Sequence, residues 1–147
     1  ARPEVRTEMP NRDNFRAEVV RLLDIEQGAE RLSALLFVDL DQFKQVNDTL
    51  GHPCGDQLLC AVADRMRNLL RPEDFVARFG GEEFAAILPM TALDEAVRAA
   101  ERVRNAIAES RYRVGDLELR LTASIGVKEV SNGEIDVDVI QKADEAS

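Results

Sequence analysis

The chain has 147 residues, 45% of them hydrophobic and 32% charged, which suits one soluble globular domain large enough for a real core. With 19 Lys+Arg against 28 Asp+Glu, the formal net charge of −9 argues against general nucleic-acid or anionic-membrane binding, though not against a small phosphate ligand offset by metal ions and local cations. Cys54 and Cys60 make neither a zinc pattern nor a disulfide framework and read as reduced thiols, and the longest apolar run, ALLFV, is too short to span a bilayer.

Residues 1–10 are polar, carry two prolines and read as a lead-in segment. Phe15, Val19, Leu22 and Leu23 then fall at helical spacing. Ser33 to Leu40, SALLFVDL, is a short apolar run ending in acids, the pattern of a buried strand. The polar stretch DQFKQVNDTLGHPCGD follows, with turn signals at Gly51 and Gly55. Leu58, Leu59, Val62, Met66 and Leu69 predict a second amphipathic helix whose stripe is core packing. FVARF and EFAAIL form a hairpin around Gly80-Gly81, and Thr91 with Asp94 resembles a capping box for a helix burying Val97, Ala100, Val103 and Ile107. Tyr112 to Val114 turns at Gly115-Asp116 onto Leu117 to Val127, which alternates with period two. DVDVIQKADEAS starts a last helix, and no internal repeat occurs. The order helix, strand, two helices, hairpin, helix, hairpin, helix predicts an α+β fold: helices on a mainly antiparallel central sheet, compatible with a ferredoxin-like or polymerase-palm arrangement. The chain opens on Ala1 without a signal-peptide pattern and stops abruptly at Ser147, as expected of a cytoplasmic piece of something longer.

The stretch RFGGEEF, Arg78 to Phe84, raises the chemical question. Glycine at a hairpin turn ordinarily supplies positive φ. Adjacent glutamates repel and call for a cation. Asp39 and Asp41, two apart on a strand, can share a face, and if that strand lies beside the Gly80-Gly81 hairpin the carboxylates converge into a hard oxygen site suited to Mg²⁺. Bare glycine backbone would then let a bulky anion approach. Two metals roughly 3.5–4 Å apart are the usual device for phosphoryl transfer at such sites. On the residues alone, a metal–phosphate site and a charged loop cluster remain equal alternatives.

RFGGEEF resembles the signature of the GGDEF family, the diguanylate cyclases, in its GGEEF form. MPNRDNF (Met9 to Phe15) resembles the family's N-terminal block, and LLFVDLDQFKQVNDTLGHPCGDQLL (Leu35 to Leu59) follows its D-x-D-x-F-K-x-x-N-D-x-x-G-H-x-x-G-D pattern almost letter for letter. LTASIGV and KADEA resemble its later strand and the start of its C-terminal helix. The resemblance covers nearly the whole chain, in order. It implies a nucleotide-cyclase type of fold, with residues 1–147 one GGDEF domain cut from a multidomain protein and lacking the family's C-terminal end. It implies a cyclase that condenses two GTP into cyclic di-GMP and two pyrophosphates by two-metal phosphoryl transfer across a homodimer, with product feedback. Each active site would take two Mg²⁺, or Mn²⁺ in their place. The partners implied are GTP, cyclic di-GMP and a second copy of the chain, without nucleic acid or direct membrane contact. A sensor or phosphodiesterase domain would accompany it in the parent chain, which could be a membrane sensor with this part in the cytoplasm. The alternative is a non-catalytic GTP or cyclic di-GMP receptor or regulatory module in a larger signalling protein.

Placed residue by residue, the resemblance implies that Asp39 is a metal ligand, with the backbone carbonyl of Leu40. Glu82 is then the second ligand and the base for the ribose 3′-hydroxyl, with Glu83 a further ligand in the catalytic set. Asn47 and Asp56 match a guanine-reading pair, though Asp56 could instead cap the second amphipathic helix. Phe43 and Lys44 match the loop that holds the triphosphate, by backbone N–H and ammonium, and Gly80 and Gly81 would lie against the nucleotide. Asp41 reads as structural, His52 as a packing or hydrogen-bonding residue, and Arg78 as a brace of the hairpin through an acid. Arg71 and Asp74, in RPED, match the family's R-x-x-D inhibitory product site, with Arg102 in support; the plain alternative is a polar loop. Arg6-Thr7-Glu8-Met9 departs from the family's L-T-G-L, which alters one wall of the nucleotide pocket.

Overall fold

A strand that is apolar on both faces has to be covered on both faces, and that sets the place of β1 (Leu32–Leu40) at the centre of a sheet. The structure, a computed structural model, describes residues 9–25 and 32–131. Along the chain, α1 (Arg12–Ile25) precedes β1, and α2 (Phe43–Leu50) and α3 (His52–Leu69) follow it. The hairpin β2 (Phe75–Gly80) and β3 (Glu83–Leu88) comes next, then α4 (Leu93–Glu109), the short strands β4 (Tyr112–Val114) and β5 (Leu117–Leu119), and β6 (Ala123–Ser131).

The main sheet has the order β2-β3-β1-β6, every neighbouring pair antiparallel. This is the expected α+β arrangement. Leu36, Val38, Leu40 and Phe84 point to one face and pack with Leu58, Val62 and Met66 of α3 and Val103 and Ile107 of α4. Leu35, Phe37, Ala85 and Ile87 point to the other and pack with Phe15 and Val19 of α1. Alternation along β1 thus feeds two cores at once, and both grip the strand whose C-terminal end carries Asp39.

Several local expectations are corrected. Gly55 is not a turn: it lies inside α3, and the break between α2 and α3 is at Gly51, whose φ of 91° only glycine adopts readily. Leu117 to Val127 is not one strand. Residues 117–119 pair with β4 in a separate two-stranded sheet, and the main-sheet strand starts at Ala123, because Leu121 turns into the core. The capping box does not form either. Thr91 donates its hydroxyl to the Pro89 carbonyl at 2.9 Å, and the start of α4 is satisfied instead by Glu129 of β6, which accepts the Leu93 N–H at 2.6 Å. On α4, Ala96 and Ala99 join Ala100, Val103 and Ile107 in the core, while Val97 stays 44% exposed. Leu23's side chain, residues 1–8 and the last helix fall outside the described residues. Among those described, no helix is long and apolar enough to cross a membrane.

Candidate active site

The C-terminal end of β1 meets the two strands on either side of it. Asp39 stands opposite Glu83 of β3 and Ser124 of β6. The next residue, Leu40, donates its N–H to the carbonyl of Glu82 at 3.1 Å. The ladder therefore brings both signature acids beside Asp39, with Glu83 directly across and Glu82 one step out on the turn. Asp39 is half-buried, and its carboxyl is held above its ordinary value, first by burial and then by the negative charge of Asp41. An acid in that position gains from a cation.

Asp41 is not available in the same way. Its Oδ2 accepts the Thr122 hydroxyl at 2.8 Å and its Oδ1 the Ser124 hydroxyl at 2.9 Å, so both oxygens are tied to β6 and its approach. This fits the structural reading of Asp41. Thr122 and Ser124 were not singled out in the sequence. The signal for them is a Thr and a Ser two apart in LTASIG, which a strand presents on one face.

The glycine turn differs from expectation. Neither Gly80 nor Gly81 has positive φ; among the described glycines that conformation occurs at Gly51 and Gly115. A Cβ on Gly81 would meet nothing within 4 Å, and one on Gly80 would meet only Glu83 Oε1 at 3.6 Å. Backbone strain and protein crowding therefore leave these glycines unexplained, and the space over the turn is open. Arg78 braces the turn through carbonyls rather than through an acid, donating from its guanidinium to Gly81 O at 3.1 Å and Gly80 O at 3.4 Å. Its backbone N–H also donates to Pro10 O at 2.8 Å, which ties the start of α1 to the same turn.

A groove of about 1160 Å³ runs between the starts of α1 and α3 and this turn. Asp56, Gly80 and Gly81 line it, together with Arg12, whose guanidinium carbon sits 4.8 Å from the centre of the Phe79 ring. Asp56 is exposed inside α3, which begins at His52 after Gly51, so the capping alternative for Asp56 falls. His52 is exposed rather than packed. Asp39, Phe43, Lys44 and Asn47 do not line this groove. Phe43 buries its ring in the core, 3% exposed, and opens α2 with Lys44 exposed beside it. The first N–H groups of any helix have no intrahelical partner, and here they belong to these two residues. Asn47, further along α2, has a buried Oδ1 without a hydrogen-bond partner.

Among the described residues no cluster of three or more His, Cys, Asp and Glu is arranged to hold a metal by itself. The donors at the end of β1 fit a different kind of ion. Mg²⁺ is commonly held by one or two carboxylates, with phosphate oxygens and water completing its shell. Asp39 and Glu82 are two carboxylate-bearing residues that the ladder brings to this corner, and the partly desolvated Asp39 is an acid that a cation would relieve.

At the other end of the sheet, Arg71 donates to Asp74 Oδ1 at 2.9 Å, to Thr91 Oγ1 at 2.7 Å and to the Pro89 carbonyl at 2.9 Å. The Asp74 side chain is only 2% exposed. Arg71, Asp74 and Arg102 line one small cavity of about 90 Å³, so the structure brings the three together, away from the Gly80-Gly81 turn.

Residues 4–147 match the family described as diguanylate cyclase, GGDEF domain. The chain belongs to the GGDEF family. It is 38% identical over 144 residues to the diguanylate cyclase DgcP of Pseudomonas aeruginosa, an alignment covering 95% of this chain and 21% of that protein. Among solved structures it is similar to the diguanylate cyclase SiaD of Pseudomonas aeruginosa, determined with its activator SiaC, at TM-score 0.85 and 39% identity over 94% of this chain and 53% of that one. It is also similar to the GGDEF domain of DgcB from Caulobacter crescentus in complex with c-di-GMP, at TM-score 0.83 and 32% identity over 94% and 82%. The chain thus spans about a fifth of the length of its curated cyclase relative DgcP.

Proposed function

We propose that this GGDEF domain is the catalytic part of a diguanylate cyclase, condensing two GTP into cyclic di-GMP and two pyrophosphates. The observation that carries the reading is the meeting of Asp39, Glu82 and Glu83 at one end of the sheet, beside a glycine turn whose outer space the protein leaves open. Divalent cations, Mg²⁺ or Mn²⁺, two to a site, would neutralise the phosphates there. Asp39, Glu82 and the Leu40 carbonyl hold them, and the N-terminus of α2 with Lys44 receives the triphosphate. Asn47 and Asp56 read the guanine: a carboxylate can accept from its N1 and N2, and a carboxamide can serve O6 or N3. Gly80 and Gly81 let the nucleotide lie against the turn.

Two copies of the domain face each other, each with one GTP. Glu82 accepts the proton of a ribose 3′-hydroxyl, that oxygen bonds to the α-phosphorus of the other GTP, and pyrophosphate leaves. Catalysis is then mainly positioning and charge neutralisation. Arg71, Asp74 and Arg102 form a product site that feeds back on the reaction, since guanidinium forks suit phosphates and guanine edges. The domain works inside a longer cytoplasmic signalling chain with a sensor or phosphodiesterase partner domain, in keeping with the fraction of DgcP that it matches.

The test is incubation of purified protein with GTP and Mg²⁺, followed by chromatography for cyclic di-GMP and pyrophosphate. Product is expected. Binding of GTP or cyclic di-GMP without turnover would make the domain a receptor instead, a reading that the Arg71–Asp74–Arg102 cavity also supports.

A further inference from the structure

Gly55 is buried inside the first turns of α3, where alanine would favour the helix more, and its φ is not positive. Neither propensity nor conformation accounts for glycine there. Its neighbour does. A Cβ at this position would stand 2.0 Å from Asn47 Oδ1, 3.1 Å from Asn47 Cγ and 3.2 Å from Phe43 Cζ. The Asn47 carboxamide is thus seated on the bare Cα of residue 55, with its buried oxygen unpartnered. α2 has little freedom to retreat. Phe43 anchors it in the core, the Gly51 N–H donates to Asn47 O at 2.9 Å, and the Gly55 N–H donates to Gly51 O at 3.2 Å. The movable part is the end of the Asn47 side chain.

We infer that Gly55 is a positioning residue for base selectivity. Its missing side chain seats the buried oxygen of the Asn47 carboxamide, so that the amide nitrogen is the end presented to a guanine that Asp56, the residue after Gly55, reads from the groove. The inference rests on the proposed reading of Asn47 and Asp56 as base contacts and names what keeps them in register. A methyl group at residue 55 turns the flexible end of Asn47 aside and presses the Phe43 ring, met at 3.2 Å, by only a few tenths of an ångström, which the helix preference of alanine offsets, so the fold stays intact.

The test compares wild type, Gly55→Ala, Asn47→Ala and the double variant by titration with GTP and with ATP in Mg²⁺, alongside thermal melting. Expected for Gly55→Ala is a loss of about tenfold in GTP affinity, the size of one hydrogen bond, with ATP affinity and melting temperature unchanged. Asn47→Ala should lose the same, and the double variant no more than either, since both act through one contact. If Asn47→Ala lowers GTP preference and Gly55→Ala does not, the inference fails while the base-contact reading stands. If Asn47→Ala leaves the GTP-to-ATP ratio unchanged, that reading fails and the inference with it. Equal loss of both nucleotides with a lower melting temperature in Gly55→Ala, failure of that variant to fold, or additive losses in the double variant would make Gly55 a helix-packing residue and overturn the inference.

Discussion

Thr122 holds Asp41 twice, donating its hydroxyl to Asp41 Oδ2 at 2.8 Å and accepting the Asp41 N–H on its carbonyl at 2.9 Å. The pair fastens the end of β1 to the approach of β6 just past the candidate metal ligand. Thr122→Val keeps the shape and removes the hydroxyl. A hydrogen bond to a charged acceptor contributes about 1.5–3 kcal/mol, less at this exposed position, so a fall of about 2–4 °C in melting temperature is expected. An unchanged melt would mean that the backbone bond alone holds the strand end.

Asp39 gives a prediction with a sign. Its folded-state pKa is raised, by burial and then by Asp41, so folding disfavours the ionised form. The cost is full above the raised pKa and vanishes as pH falls below the unfolded value, about 3.9. Metal-free Asp39→Asn should therefore melt slightly higher than wild type at pH 7, with the gap closing towards pH 4. Mg²⁺ together with GTP should raise the melting temperature of the wild type and not that of the variant. A variant that melts lower than wild type at pH 7 would show that Asp39 is held by partners rather than strained by desolvation.

Glu82 and Glu83 can be told apart. The ladder sets Glu83 across from Asp39 with its Oε1 near Gly80, and leaves Glu82 on the turn. Glu82→Ala removes no core volume, so the fold should survive while product formation falls at least about a hundredfold at saturating Mg²⁺. Cyclic di-GMP formation measured for Glu82→Ala and Glu83→Ala side by side decides the assignment. Near-normal activity of the first with loss in the second would move the ligand role to Glu83.

What was legible in the sequence followed periodicity. β1 announced itself as apolar on both faces, and the order of helices and hairpins led to the antiparallel sheet. What was not legible depended on partners distant in sequence. Thr91 looks like a cap until Pro89 and Arg71 claim its hydroxyl, and the residue that satisfies α4 is Glu129, from another element. Gly55 looks like a turn until Asn47 is found lying on it. At the site, the acids and glycines could be named from their spacing, but Asp41's engagement with the hydroxyls of Thr122 and Ser124, more than eighty residues away, could not, because register is a tertiary fact.

Arg71 links the proposed product site to the fold itself. Besides Asp74 it holds Thr91 and the Pro89 carbonyl, so Arg71→Ala strands a nearly buried carboxylate as well as removing a product contact. A stranded acid destabilises more than the pair stabilised. Arg71→Ala should therefore melt lower than wild type, and Arg71→Ala with Asp74→Ala should recover part of the loss. Both should lose product inhibition without a lower initial rate, because this cavity lies away from the Gly80-Gly81 turn. A titration of cyclic di-GMP against the three proteins, with initial rates of GTP turnover, decides between the two roles. If inhibition is equal in all three while the melting temperatures differ as expected, Arg71 and Asp74 are a structural clasp between the β2 approach and the start of α4, and the product acts elsewhere.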